Sequence, residues 1–356
     1  MSNVALSVNG KVFEGWEQVS VVKGIEACAG GFSLQVSDVN PWPIKNGAKC
    51  ALSLDGEQVI SGWVDRVEID MSDDTHVVSV AGRDAAGDLV DCGVDHKTGE
   101  YLNQDLLQIT KSICAPFGVA VKVDGATIGA KFPKYSIQPG ETAWQAIERA
   151  CRSRGVLVVS DNVGGIVLTK PKNARAGAAL VYGQNVKAFK AKFDDSDRFK
   201  TYIVRGQTAG TDNLFGDAAA SVSASAGDSG VERYRPMIIL AEGNMVTSQA
   251  KDRARYEATV RAARAGRITV TVVGWRRSEA GKLWAFNELV DVDIPPLKMK
   301  GDMLISGVRF SLDESGTITE LDLVRPDGFT IEPIVFKNDS VKSDTAWSGL
   351  FQEDEE

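Results

Sequence analysis

His76 and His96 are the only histidines in the 356-residue chain. His76 falls in an alternating apolar segment and His96 in a polar loop, and neither has a second histidine at metal-pair spacing. A Ser-His-Asp triad would have to use one of them, and no G-x-S-x-G turn presents a nucleophile. Ser20-Val-Val-Lys23 fits S-x-x-K, but it lies in an extended apolar run without S-D-N and K-T-G companions. Neither a Walker A motif nor G-x-G-x-x-G is present. Acidic hydrolysis needs two carboxyls held about 5–9.5 Å apart. Asp194, Asp195 and Asp197 read instead as a hairpin turn, and Asp291 and Asp293 as the solvated face of a strand. The five cysteines, Cys28, Cys50, Cys92, Cys114 and Cys151, are scattered and odd in number. They read as reduced, mostly buried thiols rather than a disulfide framework. The residues therefore predict no catalytic group, no metal and no cofactor, and the chain is read as not an enzyme.

The marked charge anomaly is basic. Lys251, Arg253, Arg255, Arg261, Arg264, Arg267, Arg276 and Arg277 outnumber Asp252 and Glu257. The plain reading is a solvated helix face followed by a hairpin turn. The sharper one is an electrostatic contact surface for an acidic partner, with Arg253, Arg261 and Arg264 as the candidate contacts. Ala250, Ala254, Ala258 and Ala262, four apart, would let the same helix pack closely on its own sheet or on a neighbouring subunit.

The elements that must position these residues are mostly strands. Residues 1–92 read as β, with Phe32–Ser37 alternating and Cys50–Asp70 a hairpin turning at Asp55-Gly56. Strands at this spacing predict a small barrel or sandwich. Residues 93–177 read as α/β. Leu102, Leu106, Ile109 and Ile113 form one helical stripe. Tyr135–Asp161 reads strand, turn, helix, strand, with Thr142 and Gln145 as a capping box, Trp144, Ile147 and Cys151 on one face, and Gly155 as the stop. Residues 178–330 return to β with one helix over Asn244–Ala265. Within them Val186–Asp194 and Phe199–Gly206 read as a paired hairpin, and Gln207–Gly230 as a mobile loop. Residues 331–356 read as a flexible or partner-bound tail.

The length supports two to four domains with real cores. A net charge of −8 argues against a general nucleic-acid coat. It suits a passage through which DNA slides without sticking. No secretory signal and no apolar run of about 18 residues is present, so the chain is expected to be soluble when made.

Taken together the pieces resemble the baseplate hub proteins of contractile-tailed phages, the 43 kDa tail protein of Mu-like phages and the late control protein D family. The carriers are the opening MSNVALSVNGKVFEGWEQVSVVKGIEACAGGFSLQVSD, then GWVDRVEI with VVSVAGRDAAGDLVD, then IQPGETAWQAIERACRSRG. The resemblance covers most of the chain. It implies an α+β, mostly β fold with two small β-barrel-like domains flanking an α/β domain, assembled as a homotrimeric ring. It implies a virion part, made in the bacterial host cytoplasm, that adapts a sixfold tail tube to a threefold spike around the DNA passage. Tube and spike proteins are the implied partners, with no membrane insertion and no catalytic motif. A second resemblance competes with it. YSIQPGETAWQAI is similar to the start of a LysM domain, which implies peptidoglycan binding through Thr142, Trp144 and Ile147. The following ERACRSRGVLVVSD lacks that family's second helix.

Overall fold

The computed structural model describes residues 3–38, 42–161, 163–171, 174–207, 222–244, 247–279 and 281–329. The first unit holds β1 (Val4–Val8), β2 (Lys11–Phe13), β3 (Gln18–Gly24), β4 (Gly31–Ser37), β5 (Lys49–Leu54), β6 (Glu57–Met71) and β7 (His76–Asp84). The middle unit holds α1 (Gly87–Asp91), β8 (Glu100–Gln104), α2 (Leu106–Cys114), β9 (Val121–Val123), β10 (Phe132–Ser136), α3 (Ala143–Arg152), β11 (Leu157–Ser160) and β12 (Ile166–Thr169). The last unit holds β13 (Arg175–Val181), β14 (Val186–Phe193), β15 (Thr201–Gln207), β16 (Val222–Gly227), β17 (Pro236–Asn244), α4 (Thr247–Arg264), β18 (Gly266–Val273), β19 (Leu289–Ile294), β20 (Met299–Asp313) and β21 (Gly316–Val324).

The first and last units do not form two closed barrels. Their strands join one 13-stranded sheet ordered β14-β18-β21-β20-β3-β4-β7-β6-β5-β1-β2, with β19 and β13 branching from β20. The joint is the antiparallel pairing of β3 with the outer half of β20, from Val19↔Leu312 to Gly24↔Gly307. One apolar core runs beneath both halves, from Leu6, Leu34 and Leu52 to Val270, Trp275 and Leu321. Alternation explains why: β4 buries every second residue, Phe32, Leu34 and Val36, toward this core. A second tie lies at the turn of the first hairpin. Arg276 donates to Glu57 Oε1 at 2.6 Å and to the Asp55 carbonyl at 3.0 Å, clamping the last unit onto the Asp55-Gly56 turn.

The two units repeat one plan. β5, β6 and β7 have 6, 15 and 9 residues. β19, β20 and β21 have 6, 15 and 9 as well. Each 15-residue strand carries a bulge against its hairpin partner, at Val64/Arg66 in one and Ile305/Gly307 in the other. A bulge raises the local twist and lets a long strand serve two different neighbours along its length. The bend crowds the backbone. A Cβ on Gly62 would collide with the Arg83 carbonyl, and one on Gly82 with the Trp63 carbonyl and, at 2.8 Å, the Phe32 ring.

Middle-unit helices obey their caps. Gln145 N–H donates to Thr142 Oγ1 at 3.2 Å while the Gln145 side chain accepts from Thr142 N–H at 2.9 Å. Asp105 and Gln108 form the same box on α2, which limits that helix to Leu106–Cys114. Leu102 belongs to β8 and is exposed, so the expected four-residue helical stripe begins only at Leu106. A second expectation fails in the last unit. β15 does not pair back on β14. It lies in a separate sheet, antiparallel to β16 and parallel to β17, because the turn at Asp194–Arg198 carries the chain away from β14. The expected loop over Gln207–Gly230 contains β16, and residues 208–221 lie outside the described ones. The tail beyond Phe329 also lies outside them.

The middle unit is seated on the first through a buried polar joint. Asp84 Oδ2 accepts from Ser160 Oγ at 2.6 Å and from Gly30 N–H at 2.7 Å, and Asp84 Oδ1 accepts from Ala86 N–H at 3.2 Å. Lys23, 5% exposed, donates to the Val59 carbonyl at 2.8 Å. Burial pulls the Lys23 ammonium down to about 8, opposed in part by Asp84 and Asp161, and pushes the Asp84 carboxyl up.

Two outcomes follow from this packing. Gly82→Ala lowers stability by about 2–3 kcal/mol in urea denaturation, and a loss under about 0.5 kcal/mol, the level of a neutral surface change, would contradict the collision. For Lys23, the unfolded chain keeps the proton up to its ordinary value of 10.5 while the folded chain releases it near 8. The unfolded state therefore binds more protons in that window, and this group adds stability as pH rises through it. The melting temperature of the parent should gain on that of Lys23→Met between pH 8 and 10. A difference that stays flat, measured by calorimetry, would refute the burial of the charge.

Candidate functional site

The residues that could meet a partner collect in a groove of about 780 Å³ between the middle unit and α4. Its middle-unit wall is Trp144, Glu148 and Arg152 of α3 with Val156–Val158. The opposite wall is Arg253, Glu257, Arg261 and Arg264 of α4, with Lys192 and Asp194 at the end of β14 and Phe329 beside them. Arg253, Arg261 and Arg264, expected as acidic-partner contacts, are thus brought together with Trp144, expected as a glycan contact.

Most of this positive charge is already engaged. Glu257 receives Arg253 at 2.6 Å and Arg261 at 3.0 Å, one turn to either side on α4. Arg264 donates to the Gly328 carbonyl at 2.9 Å and lies over the Phe329 ring at 5.2 Å. Arg267 pairs with Glu26 at 2.8 Å, and Arg152 with Glu148 at 3.4 Å. Arg277 pairs with Glu288 at 2.6 Å. The basic run is therefore largely a set of internal ties, and the groove is a lattice of mixed charge rather than a single-sign field. The small stripe of α4 packs inward: Ala250, Ala254 and Ala258 are buried against Tyr202, Val204 and Val222 of its own small sheet.

The residues of the glycan resemblance part ways. Thr142 is occupied in its cap, Ile147 is fully buried in the middle-unit core, and Trp144 is half-buried with one side on the groove. The carboxylate runs behave as turn and strand surface. Asp194 accepts from Ser196 N–H at 3.0 Å and pairs with Lys192 at 3.1 Å, Asp195 pairs with Arg198 at 2.8 Å, and Asp293 pairs with Lys300 at 3.4 Å. The His96 ring lies tilted against that of Tyr101, with centroids 4.5 Å apart. Among the described residues no three His, Cys, Asp or Glu side chains are grouped to hold a metal. Cys28, Cys50, Cys114 and Cys151 are buried free thiols and Cys92 is exposed.

Sequence reasoning passed over the sheet edges. The outer half of β6, beyond the reach of β5, has no described strand along its free side, and Ile69 and Met71 are 50% and 39% exposed there. β14 ends the sheet, and past the bridge of Val186 to Tyr182 no described strand lies along its outer side, where Phe193 is 68% exposed. The one available signal was that EID and FKAKF continue strand alternation with apolar residues past the point where a partner was visible. On the small sheet, Ile238 and Leu240 of β17 are also exposed.

Comparison with known proteins gives a consistent picture. Three family models match successive parts of the chain: the N-terminal domain of Mu phage baseplate assembly protein GpP-like proteins over residues 3–84, the second domain of baseplate hub protein gp44-like proteins over 86–170, and the fourth domain of Mu phage baseplate assembly protein GpP over 246–332. The chain is 35% identical over 344 residues to the baseplate hub protein gp44 of Escherichia phage Mu, covering 93% of this chain and 90% of that protein. It is similar to the 43 kDa tail protein of prophage MuSo2 from Shewanella oneidensis, with a TM-score of 0.85 at 33% identity over 93% of this chain and 100% of the other. The tail protein from Neisseria meningitidis MC58 shares the fold, with a TM-score of 0.80 at 24% identity over 94% and 98%.

Proposed function

The chain belongs to the Mu-type phage baseplate hub family, and we propose that three copies form a ring that adapts a sixfold tail tube to a threefold spike. The observation that carries this reading is the internal repeat. Each chain offers two units in which β5–β7 and β19–β21 match in length, in order and in the bulge of the long strand. Three such chains present six like surfaces toward the tube, while the middle units and α4 sheets, present once per chain, keep threefold order toward the spike. The net charge of −8 suits a lumen that repels DNA as it passes.

In this reading the protein works without turnover, in the virion, after synthesis in the host cytoplasm. The relatives are named as baseplate and tail proteins. The mixed-charge groove and the exposed face of β17 are the surfaces we assign to tube or spike, with Arg253, Arg261 and Arg264 contributing through the groove. Glycan binding is the less supported reading, since only Trp144 of its three residues is free to meet a ligand.

Light scattering should give a particle of roughly three times the 38.2 kDa chain mass. A particle that keeps the mass of one copy at micromolar concentration, with spike protein added, would overturn the ring. A cell-wall zymogram should stay opaque, and clearing would overturn the reading of the protein as non-enzymatic.

A further inference from the structure

The internal repeat lets an observed joint predict an unobserved one. The bulges align Arg66 of β6 with Gly307 of β20, so Val67, Ile69 and Met71 correspond to Val308, Phe310 and Leu312. The correspondence carries through the next strands. Arg66 pairs with Ala81, Ala81 with Ser33 and Ser33 with Ser20. In the other unit Gly307 pairs with Asp322, Asp322 with Thr269 and Thr269 with Lys190. Ser20 is therefore the counterpart of Lys190, and β3 the counterpart of β14.

Within the chain, β3 lies on the outer half of β20, with Val19↔Leu312, Val21↔Phe310 and Lys23↔Val308. Among the described residues the counterpart contact, β14 on the outer half of β6, is not made, and no described strand lies along either edge. We propose that it forms between copies: β14 of one chain adds antiparallel to residues 67–71 of β6 in the next. This inference rests on the ring reading and names its interface.

The register transferred from the internal joint was not chosen for chemistry, yet the chemistry fits. On the core-facing side it sets Phe193 opposite Val67, Ala191 opposite Ile69, and Phe189 opposite Met71. On the other side it sets Lys192 opposite Glu68 and Lys190 opposite Asp70. Three large apolar side chains left exposed, Phe193, Ile69 and Met71, would be covered together. Both cross-strand charge pairs are of opposite sign, and opposed apolar and opposite-charge pairs are what stabilise neighbouring strands. The plainer reading is that the lysines protect a bare edge. Within one chain Glu68 pairs with Arg66 at 3.4 Å and Lys192 with Asp194 at 3.1 Å, all on the surface, but edge protection gives no reason for the exposed Asp70 at the other matching position or for Phe193 outside the core. The contact is head-to-tail, so repetition closes into a ring or runs on as a filament.

Two measurements test it in the full chain. In a Cys92→Ser background, Ile69→Cys with Ala191→Cys places thiols on directly opposed residues, within the Cα separation that a disulfide spans. Oxidation should give a covalent three-copy species, while Ile69→Cys with Lys190→Cys, on opposite faces, should not. Separately, Lys190→Glu with Lys192→Glu should lower the particle mass roughly threefold, and adding Glu68→Lys with Asp70→Lys should restore it, which a misfolded variant could not do. A parent particle of three copies that neither cross-links nor responds to charge reversal overturns the pairing and leaves the ring standing. A parent that stays a single copy and does not cross-link overturns both. Cross-linked open ladders support the pairing and overturn closure at three.

Discussion

Everything else in this molecule depends on one strand ladder, the pairing of β3 with the far half of β20. It unites segments from opposite ends of the described chain into one sheet over one core. Its hydrogen bonds fix the relative orientation of the two repeated units more firmly than side-chain packing alone, because a one-residue slip would turn every core residue outward. Gly24 and Gly307 face each other at one end, where a Cβ on Gly24 would meet the Ser306 carbonyl at 3.0 Å. The Arg276 clamp on the Asp55-Gly56 turn holds the same two units at a second point. The middle unit is then a passenger, seated by Asp84, Ser160 and Lys23 at a joint whose buried charge disfavours any looser arrangement.

Local rules were legible in the sequence wherever they were local in physics. The Asp55-Gly56 turn, the Thr142–Gln145 box, the alternation of β4 and the helix ending before Gly266 each depend on residues within a few positions of one another. What could not be read is which strand lies beside which. Val186–Phe193 and Thr201–Gln207 look like the arms of a hairpin, since each alternates and a polar turn separates them. The first pairs with β18 and the second with β16 and β17, strands that all come later in the chain. The expectation of two barrels fails for the same reason: strand count and spacing are visible, but closure depends on whether an edge finds its own unit or another.

The contact residues show the same limit in electrostatic form. A run of arginines stands out by count, but count does not show that Glu257 bridges two of them or that Arg276 and Arg277 are tied to Glu57 and Glu288. Charges that look available in sequence are largely neutralised at close range once the helix forms. The exposed edges carried a quieter sequence signal and a larger structural meaning. Their apolar residues are conspicuous only when the strands beside them are known to end.

The long separation between the paired segments of the joint has a consequence for biogenesis. The edge of β3 can receive its partner only after the ribosome has polymerised residue 312. Until then the first unit exists with that edge uncovered and its companion half unmade. A chain released before that point lacks the partner strand and leaves the edge of β3 bare. Union of the two repeated units thus waits on the distal half of the sequence, long after β3 itself has been made.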